Sequence, residues 1–389
     1  MMSRALLALL LAATVFCTTP VTTYNDGLDF DGRFYAAMSA PEGKEYMWSH
    51  HAPWCWRVLT PAIAGMLPSD PVTNFRAVAL VSAFLTLILL GILLEKCGAS
   101  KSSELFGVTL YATTFFPLKW SFFSPCYIDH QTQLFILAVL VALSFRFFLA
   151  LPALIAVACL QKESLIFLTL PSALYAWSLW KSSKKAQLYF LALLIPAFVA
   201  IGATRLMIAP VNKYSSEAVF LYTISTQLSD WAFYPRFMLA IFSGLGIFPL
   251  LLLLRRKAVT QFLYDNPHWA LYLFLAAVQL FGGMDKARLF LPMLPVLVVV
   301  TVRVFPFDTL LIDWRGRAFL FGVLSLNIVL GMTFWWGGDY HLLYQYQLPI
   351  LTDRSLTPAT VRLGVVVVTF FALSLIVRKQ LSSSSEFRS

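Results

Sequence analysis

The chain has 389 residues, of which 59% are hydrophobic, 15% aromatic and only 12% charged, with a formal net charge of +10. Soluble domains hold roughly 45–50% apolar residues, so this composition, with a mean hydropathy of +0.75, excludes a soluble globular protein and points to one built in a membrane. The basic residues stand in short clusters between apolar runs, which is the positive-inside pattern and argues against a nucleic-acid groove.

Crossing about 30 Å of hydrocarbon takes about 20 apolar residues. In chain order the segments predicted on that basis are 4–20, 72–94, 104–123, 131–148, 149–160, 164–180, 186–208, 236–254, 268–283, 288–304, 317–336 and 359–377. Segment 149–160 is too short alone and reads as a re-entrant or broken helix. Arg4 ahead of an apolar stretch also fits a signal peptide, but no clear cleavage site follows, so an uncleaved first helix is expected. The expected fold is all-α and polytopic, with about twelve transmembrane helices and short re-entrant or amphipathic helices on the outer face. Residues 1–380 form one domain; 381–389 are a disordered tail or a cloning scar.

The charges test this count. Lys96 and Lys101, Arg146, Lys181 with Lys184 and Lys185, Arg255-Arg256-Lys257, Arg303 with Arg315 and Arg317, and Arg378-Lys379 alternate correctly with the segments. These loops are expected in the cytoplasm with both termini, in a bacterial inner membrane. Five cysteines (Cys17, Cys55, Cys97, Cys126, Cys159) form no CxxC pair; Cys55 and Cys126 share a side on which a disulfide is possible.

The opposite loops hold most of the acids and four of the five histidines, in mixed signs near segment ends. The first carries Asp26, Asp29 and Asp31 directly after the first crossing. Acids beside hydrocarbon are costly and rarely idle. Asp29-Phe30-Asp31 could supply a general base, orient a sugar hydroxyl or hold a divalent cation, Mg or Mn; a solvated turn is the competing reading. Further on, His50-His51-Ala52-Pro53-Trp54-Cys55-Trp56-Arg57 suggests an amphipathic stretch at the interface. Its arginine either meets a lipid phosphate bidentately or anchors the segment. Asp129-His130 opens a helix, where an N-cap is the leading reading and substrate contact the other. Lys162-Glu163 is an ion pair at a connection too short to bury charge without use. Lys286 and Arg288 sit at an outer membrane edge, and Arg205 ends another crossing on the same face. All three are phosphate or substrate candidates, with snorkelling as the alternative. No Walker loop, GxSxG, HExxH or Rossmann glycine pattern is present, so a soluble nucleotide cofactor is unsupported.

These patches resemble the polytopic GT-C glycosyltransferases. Asp29-Phe30-Asp31 occupies the place of their acidic motif in the first outer loop. Asp31-Gly32-Arg33-Phe34-Tyr35 and Arg57-Val58-Leu59-Thr60-Pro61 are similar to a DGxxY and R-x-L-x-P texture in bacterial members. Gln161-Lys162-Glu163-Ser164 is similar to a basic-Glu-small motif opening a helix, and Arg288 with Pro292 and Pro295 to a late helix start. The resemblance covers most of the chain in topology and about four short patches in sequence. It implies inverting transfer of a sugar from a polyprenyl-phosphate donor to a glycolipid or cell-surface polysaccharide on the non-cytoplasmic face. Asp31, or else Asp29, would be the base. Arg57, Lys162, Arg288 and Arg205 would hold the donor phosphate, and Glu163 would orient Lys162 or a sugar hydroxyl. Asp26, His50, His51, Asp129, His130 and Lys286 would line the substrate. The partners implied are membrane lipids, the lipid-linked sugar and its acceptor. Two other readings stand beside it: a transporter or flippase of a lipid-linked saccharide, and an outer-face polymerase or ligase.

Overall fold

The computed structural model describes residues 3–28, 31–40, 49–229, 233–282, 286–333, 353–378 and 381. Among these the chain is all-helical, with no strand. Asp70 caps the longest helix, Pro71–Lys96, by accepting the Thr73 amide at 3.1 Å, and proline at the first position costs that helix no hydrogen bond. Its inward positions Leu87 and Leu90 are fully buried while Val81 and Leu85 face outward, so it is apolar all round. The helix Ser183–Met207 exposes Leu188, Leu191, Ile195 and Phe198, a stripe at helical spacing. A second exposed apolar stripe, Val361, Val365 and Val368, lies on Asp353–Ile376.

The expected twelve crossings are not what the individual helices show. Among the described residues two, Pro71–Lys96 and Ser183–Met207, are each long and apolar enough to cross a membrane. A third candidate is a pair, Phe237–Leu245 and Phe248–Leu254, bent by 92°. The other apolar runs are shorter or broken. Residues 104–123 divide into Lys101–Thr113, a π-helical turn Phe115–Trp120 containing Pro117, and Ser121–Phe123. Residues 288–304 divide into Lys286–Leu289, Leu291–Met293 and Leu294–Val304, at Pro292 and Pro295. Average hydropathy passes over such breaks, because proline removes a hydrogen bond without making a segment polar.

One amide holds two of the breaks. Buried Asn327 accepts the Ile247 amide at 3.0 Å just past the sharp bend. It donates to Leu110 O, Thr113 Oγ1 and Thr114 Oγ1 at 3.0–3.2 Å, where Lys101–Thr113 ends. Gly246 turns the bend at φ +59°, and a Cβ there would lie 2.2 Å from Asn327 Oδ1. Backbone groups freed by the breaks are thus satisfied internally, as apolar surroundings demand.

The first helix, Arg4–Thr18, runs antiparallel to Pro71–Lys96. Arg4 meets Glu95 and Glu104 at one end, and Arg76 donates to Phe16 O and Thr19 O at the other. At the Arg4 end, Lys96 lies over Phe145, Arg303 donates to Gly98 O, and Arg255 donates to Val304 O. Four of the basic clusters picked out by the sequence alternation therefore converge at one end of the bundle. Thr22, at the other end, donates its amide to Phe123 O, and the first loop begins beside it.

Candidate functional site

The short helix Gly32–Ser39 opens directly after Asp31, and the Tyr35 amide bonds the Asp31 carbonyl at 3.4 Å. Residues four apart lie on one helix face, so the Asp31 carboxylate and the Tyr35 phenol point to the same side. Arg57 follows a 3₁₀ turn, Trp54–Trp56, at φ −98°, ψ 68°. Lys162 is an extended residue (φ −158°, ψ 119°) between the helix Leu151–Gln161 and the 3₁₀ segment Glu163–Leu168. Asp129 is the first residue of Asp129–Ser144, and Arg288 lies on the four-residue helix Lys286–Leu289. Each side chain thus comes from the end of an element or a break in one. There the backbone turns sharply enough to aim a charge inward.

The six charges form one circuit. Arg57 donates from Nε and Nη2 to the two oxygens of Glu163, at 3.1 and 2.9 Å, and from Nη1 to Tyr35 Oη at 2.9 Å. Lys162 Nζ lies 3.1 Å from Asp129 Oδ1. Arg288 reaches Asp129 Oδ2 at 3.4 Å and Asp31 Oδ2 at 2.9 Å, with its guanidinium 4.4 Å from the Tyr127 ring centre. The chain closes the gaps, joining Lys162 to Glu163 and Asp31 to Tyr35. Gln161 braces the backbone beneath: Thr60 Oγ1 donates to its Oε1 at 2.7 Å, and its Nε2 donates to Ile128 O at 3.0 Å.

These side chains are between 11% and 26% exposed, so solvent screens the pairs only partly. Burial alone would raise the Glu163 carboxyl, but the Arg57 charge and its hydrogen bonds outweigh it and hold Glu163 below the usual range. Burial likewise works to raise Asp129; Lys162 and Arg288 overcome it, and the carboxyl is held low. Burial would depress Arg57, yet Glu163 and Tyr35 hold it firmly protonated. Three carboxylates balance three cations, so the circuit is neutral without a ligand. An incoming phosphate group could be received by Lys162 and Arg288 together, since both already converge on Asp129.

The structure brings Asp31, Arg57, Asp129, Lys162, Glu163 and Arg288 together; of the other predicted residues, those whose side chains it describes make their contacts elsewhere. Glu163 grips Arg57 rather than orienting Lys162, and Arg57 has its Nε and both Nη atoms engaged by side chains. Three of the five guanidinium N–H groups of Arg57 are thus spent on Glu163 and Tyr35. Asp129 makes no capping bond; its carboxylate is spent on Lys162 and Arg288, because both cations lie within reach of the helix start. His130 is buried, with Nδ1 2.5 Å from Pro117 O, on the side of the π-helical turn. His50 pairs with Ser49 Oγ at 2.9 Å, and His51 stacks on Phe34 at 5.1 Å, within a stack that also contains Trp54. Arg205 lies over the Trp56 ring at 4.8 Å, with Trp56 Nε1 donating to Ile208 O, so it anchors the loop and does not reach the circuit. Asp26 sits exposed in a turn where Asn25, Asp26 and Gly27 all have positive φ. Cys55 and Cys126 are both free thiols. Asp29 and the side chain of Lys286 lie outside the described residues. Among the described residues no three His, Cys, Asp or Glu side chains gather as metal ligands.

Tyr35 and Tyr127 are the members that charge-based reading missed. Tyr35 was findable, since its spacing of four from Asp31 on a helix predicts a shared face. Tyr127 precedes Asp129 in a turn, and no periodicity announces its stacking on Arg288. Set against models of protein families the chain matches none, and among curated proteins no relative is found.

Proposed function

We propose that this chain is an integral membrane glycosyltransferase of GT-C type, using a polyprenyl-phosphate sugar on the face opposite its basic clusters. One observation carries the reading. An aspartate just after the first helix pairs with Arg288, and Arg288, Lys162 and Arg57, from three distant stretches of sequence, join it with Asp129 and Glu163 in one partly buried, charge-neutral circuit. Structural ion pairs need two partners; a circuit built from broken elements is a costly way to stabilise a fold. The exposed apolar stripes and the two long apolar helices support a lipid setting. The shorter apolar helices would complete a polytopic bundle of up to twelve segments.

In this reading Lys162 and Arg288 receive the donor phosphate. Arg288, drawn toward the phosphate, releases the Asp31 carboxylate it holds in the unliganded protein. The acceptor hydroxyl oxygen attacks the anomeric carbon, and its proton passes to Asp31. The bond from that carbon to the phosphate oxygen breaks, and its electron pair leaves on the lipid phosphate, stabilised by the two cations. Arg57 and Glu163, locked bidentately, hold Tyr35 and the Lys162 backbone in place. A flippase would use the same charges to bind and make no bond, so the test removes the membrane. Purified protein in detergent, with polyprenyl-phosphate sugars and a glycolipid acceptor, is expected to form glycosylated product. Translocation in liposomes without product in detergent would establish the flippase instead.

A further inference from the structure

Two buried glutamines, one next to Lys162 in sequence and one four residues after Asp129, are in opposite conditions. Gln161 is fully buried with both amide atoms satisfied, by Thr60 and Ile128. Gln133 is 1% exposed, and neither amide atom has a hydrogen-bond partner. An unmet buried amide costs on the order of 1–3 kcal/mol, which a chain this apolar could avoid with leucine or methionine. Gln133 lies one helical turn beyond Asp129, about 40° round the axis, so it shares the face that meets Lys162 and Arg288. That helix also packs against the 3₁₀ segments Glu163–Leu168 and Leu291–Met293, each of which starts within three residues of a circuit cation.

The chemistry selects the ligand group. A phosphate would use only the amide's donor, and an ammonium only its acceptor. A hydroxyl uses both at once. We infer that Gln133 reads a hydroxyl of the transferred sugar, one turn deeper than the phosphate cations, and so sets donor selectivity; this rests on the function proposed above. Gln131 supplies the control. It too is buried and unpartnered, but it lies about 200° round from Asp129, on the far side of the helix.

The test compares parent, Gln133→Met and Gln131→Met in detergent. Calorimetry measures binding of a bare lipid, polyprenyl methyl phosphate (a diester of the same single charge as the donors), and of polyprenyl phosphate carrying glucose, mannose, galactose, N-acetylglucosamine or arabinose. The parent should bind at least one sugar-bearing lipid more tightly than the bare lipid. Gln133→Met should bind bare lipid unchanged, bind the preferred sugar lipid about tenfold more weakly, and melt no lower than the parent. Gln131→Met should match the parent in binding. The inference is overturned if Gln133→Met keeps the sugar increment, or if it melts lower and loses bare-lipid binding equally, as a structural amide would. If the parent binds bare lipid and no sugar adds to it, this inference fails while the phosphate site stands. If the parent binds no polyprenyl phosphate, the proposed function fails with it.

Discussion

The bundle carries two charge clusters, one at each end, and they are built differently. At the Arg4 end, Arg4 meets Glu104 at 2.6 Å and Glu95 at 2.5 Å, and Lys101 meets Glu104 at 3.1 Å. Glu95 and Lys101 are 65% and 43% exposed there, and Arg4, Glu95 and Lys101 stand at the ends of uninterrupted helices of 13 to 26 residues. At the Asp31 end every partner is 26% exposed or less, and every carrier is a helix end, a 3₁₀ turn, a four-residue helix or an extended residue. The first cluster staples three helices and has its outer charges in solvent. The second gathers charge where regular helix would be cheaper. The exposure of the outer partners and the shortness of the carrying elements distinguish the two clusters better than the charges do.

Several substitutions would break or sharpen that contrast. The largest effect is expected from Arg288→Ala, which removes the residue shared by Asp31 and Asp129. Transfer should fall about 10²–10³-fold, the scale of losing one charge-stabilising donor. Unchanged turnover would reduce the circuit to a second staple. Glu163→Gln leaves Arg57 partly buried without its counter-charge. A loss of about 2 kcal/mol is expected, below the ~3–5 of a fully buried pair, with turnover reduced as well. Glu104→Gln should cost a similar amount, about 2 kcal/mol, through Arg4 and Lys101, yet leave turnover per folded molecule unchanged. A matching loss of turnover would erase the distinction between the two ends.

The pH dependence is smaller. Asp129 and Glu163 have folded pKa values below their unfolded ones, near 4. Their stabilisation is therefore complete above about pH 5 and is lost as pH falls through 4 toward the folded values. Thermal melts of the parent and Glu163→Gln should stay apart from pH 5 to 8 and converge below 4. Convergence on raising the pH would contradict the assignment. The smallest effect is expected from Arg205→Ala, which loses a cation–π contact of about 1 kcal/mol or less and leaves turnover alone. A clear fall in turnover would return Arg205 to the donor phosphate.

How far these features were legible differs by kind. Long uninterrupted apolar runs read correctly, and Pro71–Lys96 and Ser183–Met207 fall within a few residues of the expected 72–94 and 186–208. That four of the basic clusters gather at one end of the bundle was legible because alternation is a property of order along the chain. The breaks at Pro117, Gly246 and Pro292 were not, because an apolar window looks the same whether its helix is whole or broken. Asp31, Arg57, Lys162 and Arg288 stood out as charges next to hydrocarbon. Their pairing did not, since nothing local shows that Glu163 turns to Arg57 and Lys162 to Asp129. Arg205 and the histidines were singled out by their place on the outer-face loops, and no local pattern announces the stacking of Arg205 on Trp56 or of His51 on Phe34.

The central claim is that Asp31 acts as the base in sugar transfer, and Asp31→Asn tests it most directly. Single-turnover transfer from a panel of polyprenyl-phosphate sugars should be measured for the parent and for this variant in detergent. The account predicts that the parent transfers at least one sugar. Asp31→Asn should bind that donor but transfer it about 10²–10⁴-fold more slowly. Full transfer by Asp31→Asn, or none by the parent from any donor, would contradict it.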